Sequence, residues 1–146
     1  ALGVPALRDV DDLDAALVRL ADDVTRRRVR HVVTENARVL STVDALRAGD
    51  WPEVGRLFTA SHASMRDDYE ITVPTVDLAV EVALRCGALG ARMTGGGFGG
   101  CVLALVPETA VETVRSAMAE AYAAVGYAPP ASFVAQASEG AHRLPR

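Results

Sequence analysis

The sequence predicts an α+β domain in which helices come first and a small antiparallel sheet follows. Three observations predict it. Apolar residues in the first half recur at i, i+3 and i+4, the period of a helix with one buried face. Two strand-length segments, Leu89 to Met93 and Cys101 to Val106, bracket a run of glycines. Behind them, Thr109 with Glu112 forms a capping box ahead of another apolar stripe at helical spacing. The chain of 146 residues has the size of one domain. A domain of that length buries roughly 68–70% of its unfolded surface, enough for a real core.

A helix opens the chain over Asp11 to Leu20. Val29, Val32, Val33, Ala37, Leu40, Val43 and Leu46 then form one long helical stripe, and Gly49 stops it. Asp50 with Glu53 reads as a capping box, with Pro52 in the first turn. Val54, Leu57, Phe58, Ser61 and Met65 make the buried face of that helix. Pro74 breaks the pattern, and Thr75 to Arg85 resumes as a short apolar helix. After the two strands, Val111, Val114, Met118, Tyr122 and Val125 mark the last helix, and Gly126 fits its C′ position. Pro129-Pro130 is a rigid connection, and Ser132 to Gln136 reads as a last short strand. No repeat or low-complexity linker divides the chain, so 1–146 is a single domain.

Composition excludes several classes. Half of the residues are hydrophobic and 23% are charged, which is a globular and not a disordered balance. The formal net charge of −4 points to neither nucleic acid nor an anionic membrane as partner. No stretch is long and apolar enough for a membrane span, and no signal-peptide pattern is present. All 15 basic residues are arginine. Without lysine there is no Walker-type phosphate loop and no Schiff-base chemistry. Cys86 and Cys101 both sit in apolar surroundings and read as buried free thiols. The chain begins at Ala1 and not at methionine, which reads as a processed or truncated product.

Thr94-Gly95-Gly96-Gly97-Phe98-Gly99-Gly100 carries the most information, because five of the six residues from Gly95 to Gly100 are glycine. Glycine loses more backbone freedom on folding than any other residue, so such a run needs a reason. It supplies positive φ, it admits close approach, and its N–H groups can line an anion-binding concavity. Gly95, Gly97 and Gly100 match G-x-G-x-x-G. A dinucleotide fingerprint, however, must run into a helix whose N-terminus receives the pyrophosphate. Cys101 to Val106 is too short and too β-like to be that helix, and Glu120, about 20 residues on, falls inside a predicted helix. The glycines read as a loop joining two strands. On residue chemistry alone, a tightly packed connection and a ligand-facing loop stand level.

The remaining polar clusters have structural readings. Asp67-Asp68 with Glu70 reads as the solvated end of a helix beside Arg66. His62 faces Arg66 at i+4 and reads as a structural histidine. Arg26, Arg27, Arg28 and Arg30 form a basic cluster, but Asp22 and Asp23 lie four residues before Arg26 and Arg27 and read as their helix partners. His31, His62 and His142 stand in three unrelated contexts, so no nucleophile–base pair is visible.

Taken with its flanks, Gly90-Ala91-Arg92-Met93-Thr94-Gly95-Gly96-Gly97-Phe98-Gly99-Gly100-Cys101 resembles the third signature motif of galactokinases, members of the GHMP superfamily of small-molecule kinases. Ser61-His62-Ala63-Ser64-Met65-Arg66-Asp67-Asp68-Tyr69-Glu70 resembles a second galactokinase segment, and Arg30-His31-Val32-Val33-Thr34-Glu35-Asn36 a third. Their order and spacing fit, and the resemblance runs over essentially the whole chain.

This resemblance implies a ferredoxin-like C-terminal domain of a cytoplasmic enzyme that moves the ATP γ-phosphate to the anomeric hydroxyl of galactose with Mg²⁺. It also implies that the catalytic aspartate, the serine-rich phosphate loop, the magnesium ligands and most galactose contacts precede the matching region. A sugar-contacting tyrosine would stand just upstream of Ala1. No catalytic residue and no metal ligand therefore carries over to this chain. What carries over is the supporting active-site loop Thr94, Gly95, Gly96, Gly97, Phe98, Gly99 and Gly100, facing an interdomain cleft. The implied partner is the chain's own N-terminal kinase domain, without which the chain is inactive. A galactokinase-like sensor of sugar and nucleotide would share the same segments. Two expectations follow: in a full-length parent a β-branched residue at Gly96 crowds the loop and damages activity, and a severed domain exposes a sticky apolar face.

Overall fold

The structure is a computed structural model that describes residues 2–138, 140 and 143. It contains α1 (Leu13–Val18), α2 (Asp23–Ala48), α3 (Trp51–Ser64), α4 (Pro74–Arg85), β1 (Gly90–Thr94), β2 (Cys101–Leu105) and α5 (Val111–Ala124). A single π-helical turn, Met65–Tyr69, continues α3, and short 3₁₀ turns stand at Leu7–Asp9 and Glu108–Ala110. The predicted class and order, helices followed by a small antiparallel sheet, are those observed.

Local chemistry sets most helix ends. Asp12, Asp22 and Asp50 cap α1, α2 and α3, each side chain accepting from the N–H three residues on. Gly49 ends α2 in the left-handed conformation at φ 69°. At Asp50 only half of the expected capping box forms, because Glu53 turns to Arg56. Pro74 starts α4 as its first residue, where a missing N–H costs nothing.

β1 and β2 form a two-stranded antiparallel sheet in the register Gly90↔Leu105 to Thr94↔Cys101. Ala91 and Met93 on one face of β1 are fully buried, packing with Val80 and Ala83 of α4 and with Met65 and Val76. α5 packs on α4 through Val114 and Met118, and the Tyr122 hydroxyl donates to the Thr75 carbonyl. At the other end Ala45, Val54 and Leu57 pack together with Phe58 and Leu105.

α3 lies unusually close to β1. A Cβ on Gly55 would overlap the Leu89 carbonyl, and one on Gly90 would overlap the Gly55 main chain. These two glycines let a helix and a strand touch backbone to backbone, which no other residue permits.

Several expectations are corrected. The first helix is shorter than Asp11 to Leu20. Ser132 to Gln136 forms no strand; it runs exposed, with Phe133 85% accessible, because no sheet edge takes it up among the described residues. The Thr109–Glu112 capping box is replaced by the Glu108–Ala110 3₁₀ turn, and α5 starts without a side-chain cap. Cys86 and Cys101 are free, but Cys86 is only half-buried and Cys101 is exposed, since strand alternation turns its side chain away from the core. The long stripe of α2 is not a core face along its length. Val29 is buried, but Val32, Leu40, Val43 and Leu46 are exposed.

Candidate functional site

The three segments singled out in the sequence come together in one polar network. Glu35 of α2 is its hub. The Ser61 hydroxyl of α3 donates to Glu35 Oε1, Arg38 Nε donates to Oε2 at 2.7 Å, and Arg92 Nη1 of β1 reaches Oε1 at 3.2 Å. Arg92 also donates to the Met93 carbonyl at 3.1 Å. One carboxylate therefore ties two helices to the strand that enters the glycine loop. A second group joins α2 to the π turn. His31 Nδ1 lies 3.0 Å from Ser64 Oγ, and its ring stacks on Tyr69 at 4.4 Å. Arg30 pairs with Asp68 at 2.9 Å, and Arg27 and Arg28 hold Glu70 at 2.8 and 2.6 Å.

The loop between β1 and β2 uses its glycines for backbone shape. Gly95, Gly97, Gly99 and Gly100 all take positive φ, between 88° and 130°, and Phe98 joins them at 58°. A left-handed conformation costs an L-residue roughly 1–2 kcal/mol, yet Phe98 adopts it with 75% of its surface accessible. Residues held in such conformations concentrate at functional sites. The loop is pinned at its tip, where the Phe98 N–H donates to the Ile71 carbonyl at 2.6 Å. Gly97 lies flat on the same residue; a Cβ there would stand 2.9 Å from Ile71 Cβ. At Gly96 an added Cβ meets nothing within 4 Å in this chain. Among the described residues nothing crowds Gly96; the tight position is Gly97.

At its base the loop is held by His62. The Met93 N–H donates to His62 Nδ1 at 3.2 Å, and His62 Nε2 stands 3.2 Å from Asp77 Oδ1 of α4. Burial holds the His62 ring below its ordinary value of 6.5, although Asp77 pulls it upward. Burial likewise lowers His31, against the opposing pull of Glu35. For Glu35 burial alone would raise the carboxyl; the Ser61 hydroxyl, Arg38 and Arg92 outweigh it and leave the group ionised below the usual range.

Sequence reasoning placed the loop correctly between two strands and missed how it is held. Arg27 and Arg28 bond Glu70, 43 and 42 residues away, and not Asp23 or its neighbours; only Arg26 lies near Asp23, at 3.9 Å. Asp68 and Glu70 are therefore partners of α2 and not a solvated helix end, while Asp67 does pair with Arg66. His62 is a buried histidine tied into the fold, as its structural reading expects, and its contacts are Met93 and Asp77. His31 and His62 belong to one contiguous assembly, and His142 lies outside the described residues. Ile71 was not singled out at all; the signal available was its place directly after Glu70, whose left-handed φ of 58° turns the chain toward the loop. Among the described residues no group of three or more His, Cys, Asp or Glu could hold a metal ion. The site can hold a rigid, glycine-lined main chain in a fixed place.

The family model for the C-terminal region of GHMP kinases matches residues 42–124. The chain is 53% identical over 98% of its length to galactokinase of Streptomyces coelicolor and 50% identical over 96% to galactokinase of Mycobacterium tuberculosis. It spans 38% and 39% of those proteins. Its fold matches the crystal structure of Lactococcus lactis galactokinase complexed with galactose at a TM-score of 0.81 and 40% identity, over 86% of this chain and 34% of that one. The convergence of the three motif segments on one helix–helix–strand network and these matches lead to one assignment: the chain belongs to the family of GHMP kinase C-terminal domains.

Proposed function

We propose that this chain is the C-terminal part of a galactokinase, which transfers the γ-phosphate of ATP to the anomeric hydroxyl of galactose. The observation that carries the reading is identity of 50–53% to galactokinases over nearly the whole chain, through all three segments that build the site. Thr94 to Gly100 supply a supporting wall of the active site, and the partner that completes it is an N-terminal kinase domain. More than half of the relatives' length has no counterpart here, which supports placing ATP, Mg²⁺ and sugar binding outside this chain. Its described residues offer Mg²⁺ no ligand cluster, so no step is assigned to the metal here. Phosphoryl transfer depends on positioning and on stabilising charge, and a loop fixed at both ends serves the first of these. Arg27 and Arg28 share the carboxylate of Glu70 and Arg30 pairs with Asp68, so this basic cluster is engaged within the chain. No helix of the described residues is long and apolar enough to cross a membrane, and the reading places the enzyme in the cytoplasm, where its ATP is made.

The test is galactose-dependent ADP release by this chain alone and by a polypeptide that joins it to a galactokinase N-terminal domain. Turnover only in the joined form is expected. Turnover by the isolated chain would sink the two-domain reading, and a joined protein that binds ATP but ignores galactose would sink the substrate assignment.

A further inference from the structure

The glycine loop has two anchors, and the one at its base carries ionisable chemistry. Met93 is fully buried and His62 is 3% exposed. The Met93 N–H that reaches His62 Nδ1 is a main-chain donor of β1, two residues before Gly95. Accepting at Nδ1 forces the ring proton onto Nε2. That atom lies 3.2 Å from Asp77 Oδ1, within ion-pair distance, and both atoms are buried without a well-aligned hydrogen bond. Burying polar groups is costly, and this close electrostatic contact offsets part of that cost. The ring, carried by α3, thus bridges α4 to β1. The charged groups facing it are Asp77 of α4, Arg66 and Asp67 of the π turn, and Arg92 of β1.

We propose that His62 is a positioning residue: its Nδ1, kept as an acceptor by Asp77, holds β1 at Met93 and thereby fixes where the main chain of Gly95–Gly100 stands in the active site. A doubly protonated ring would present N–H to the Met93 N–H, donor against donor, and release the base of the loop. Burial opposes that protonation at neutral pH. The inference rests on the galactokinase reading for its effect on catalysis, but not for the link between ring and loop.

Two variants separate positioning from simple packing. His62→Asn keeps an acceptor at the δ position; His62→Gln moves its polar end to the ε position and withdraws it from Met93. In a galactokinase that contains this chain, His62→Gln should lower kcat by about tenfold or more, since small misplacements of a positioned group are costly, with KM for galactose within about twofold. His62→Asn should retain most of the activity and lack the acid limb that the proposal predicts for the native enzyme below pH 6.5. Equal losses in both variants, or an unchanged acid limb in His62→Asn, would overturn the proposal. Because a buried substitution can fail to fold, the native 146-residue chain supplies an independent readout. In ¹⁵N spectra the amides of Gly95–Gly100 should move with the His62 ring between pH 7.5 and 5. Glycine amides that stay still while the ring titrates would also overturn it. If they move but no polypeptide containing the chain phosphorylates galactose, the positioning link stands and the galactokinase reading falls.

Discussion

Gly96 and Gly97 are neighbours in sequence and opposites in role. Gly97 combines φ +88° with contact on Ile71, whereas Gly96 faces open space without a positive φ. In this chain Gly97→Val should cost about 2 kcal/mol or more, from backbone strain and overpacking together. Gly96→Val should stay within about 0.5 kcal/mol. Urea unfolding of both variants measures the difference. If Gly96→Val then abolishes activity in a joined galactokinase while leaving this domain stable, the group that approaches Gly96 comes from the other domain. Gly90→Ala is a harsher test at a position that sequence reading treated only as part of a motif. Its new methyl would overlap the Gly55 backbone, which cannot rotate away, so a loss of about 3 kcal/mol or outright misfolding is expected. Near-native stability would mean that α3 and β1 do not approach as described.

Between elements, the ties are polar at the centre and apolar around it. α2 meets α3 and the π turn through His31 and Glu35, and α3 meets β1 and α4 through His62. Both histidines are held below 6.5, first by burial. Unfolded histidines take up protons near 6.5 and the folded ones resist, so their contribution is complete above pH 6.5. It is lost as pH falls below 6.5 and through the lower folded-state values. Denaturant midpoints should therefore decline between pH 7.5 and 5.5, before the lowered carboxyls of Glu35 and Asp67 begin to protonate. The double variant His31→Gln/His62→Asn should flatten that slope; an unchanged slope would assign it to other groups.

Across the molecule, one surface stands out. α2 exposes Val39, Leu40, Val43 and Leu46, and Trp51 at the start of α3 continues the apolar strip at 50% accessibility. Phe98 on the loop is 75% accessible. Contiguous apolar surface of this kind marks an interaction face. Light scattering should find the isolated chain self-associating, and Leu40→Arg, which disturbs no buried contact, should return it toward a monomer. A native chain that stays monomeric at high concentration would show that the strip is not adhesive.

How much of this was readable from the residues follows from the range of the forces involved. Helix ends at Gly49 and Asp50, the strand–loop–strand at Gly90–Leu105, and the motif segments themselves depend on neighbours a few residues away, so local patterns report them. Partners separated by dozens of residues leave no local trace. Glu35 with Ser61 and Arg92, Arg28 with Glu70, and His62 with Met93 and Asp77 became visible only once the chain was folded. Whether an apolar stripe is covered is likewise a question about the rest of the molecule. That is why α2 reads as a core helix in sequence and stands half bare in the fold. The glycine run announced a special backbone from its composition alone. Its anchoring on Ile71 and His62 was decided by packing between elements, where a single methyl or a single proton shifts the balance.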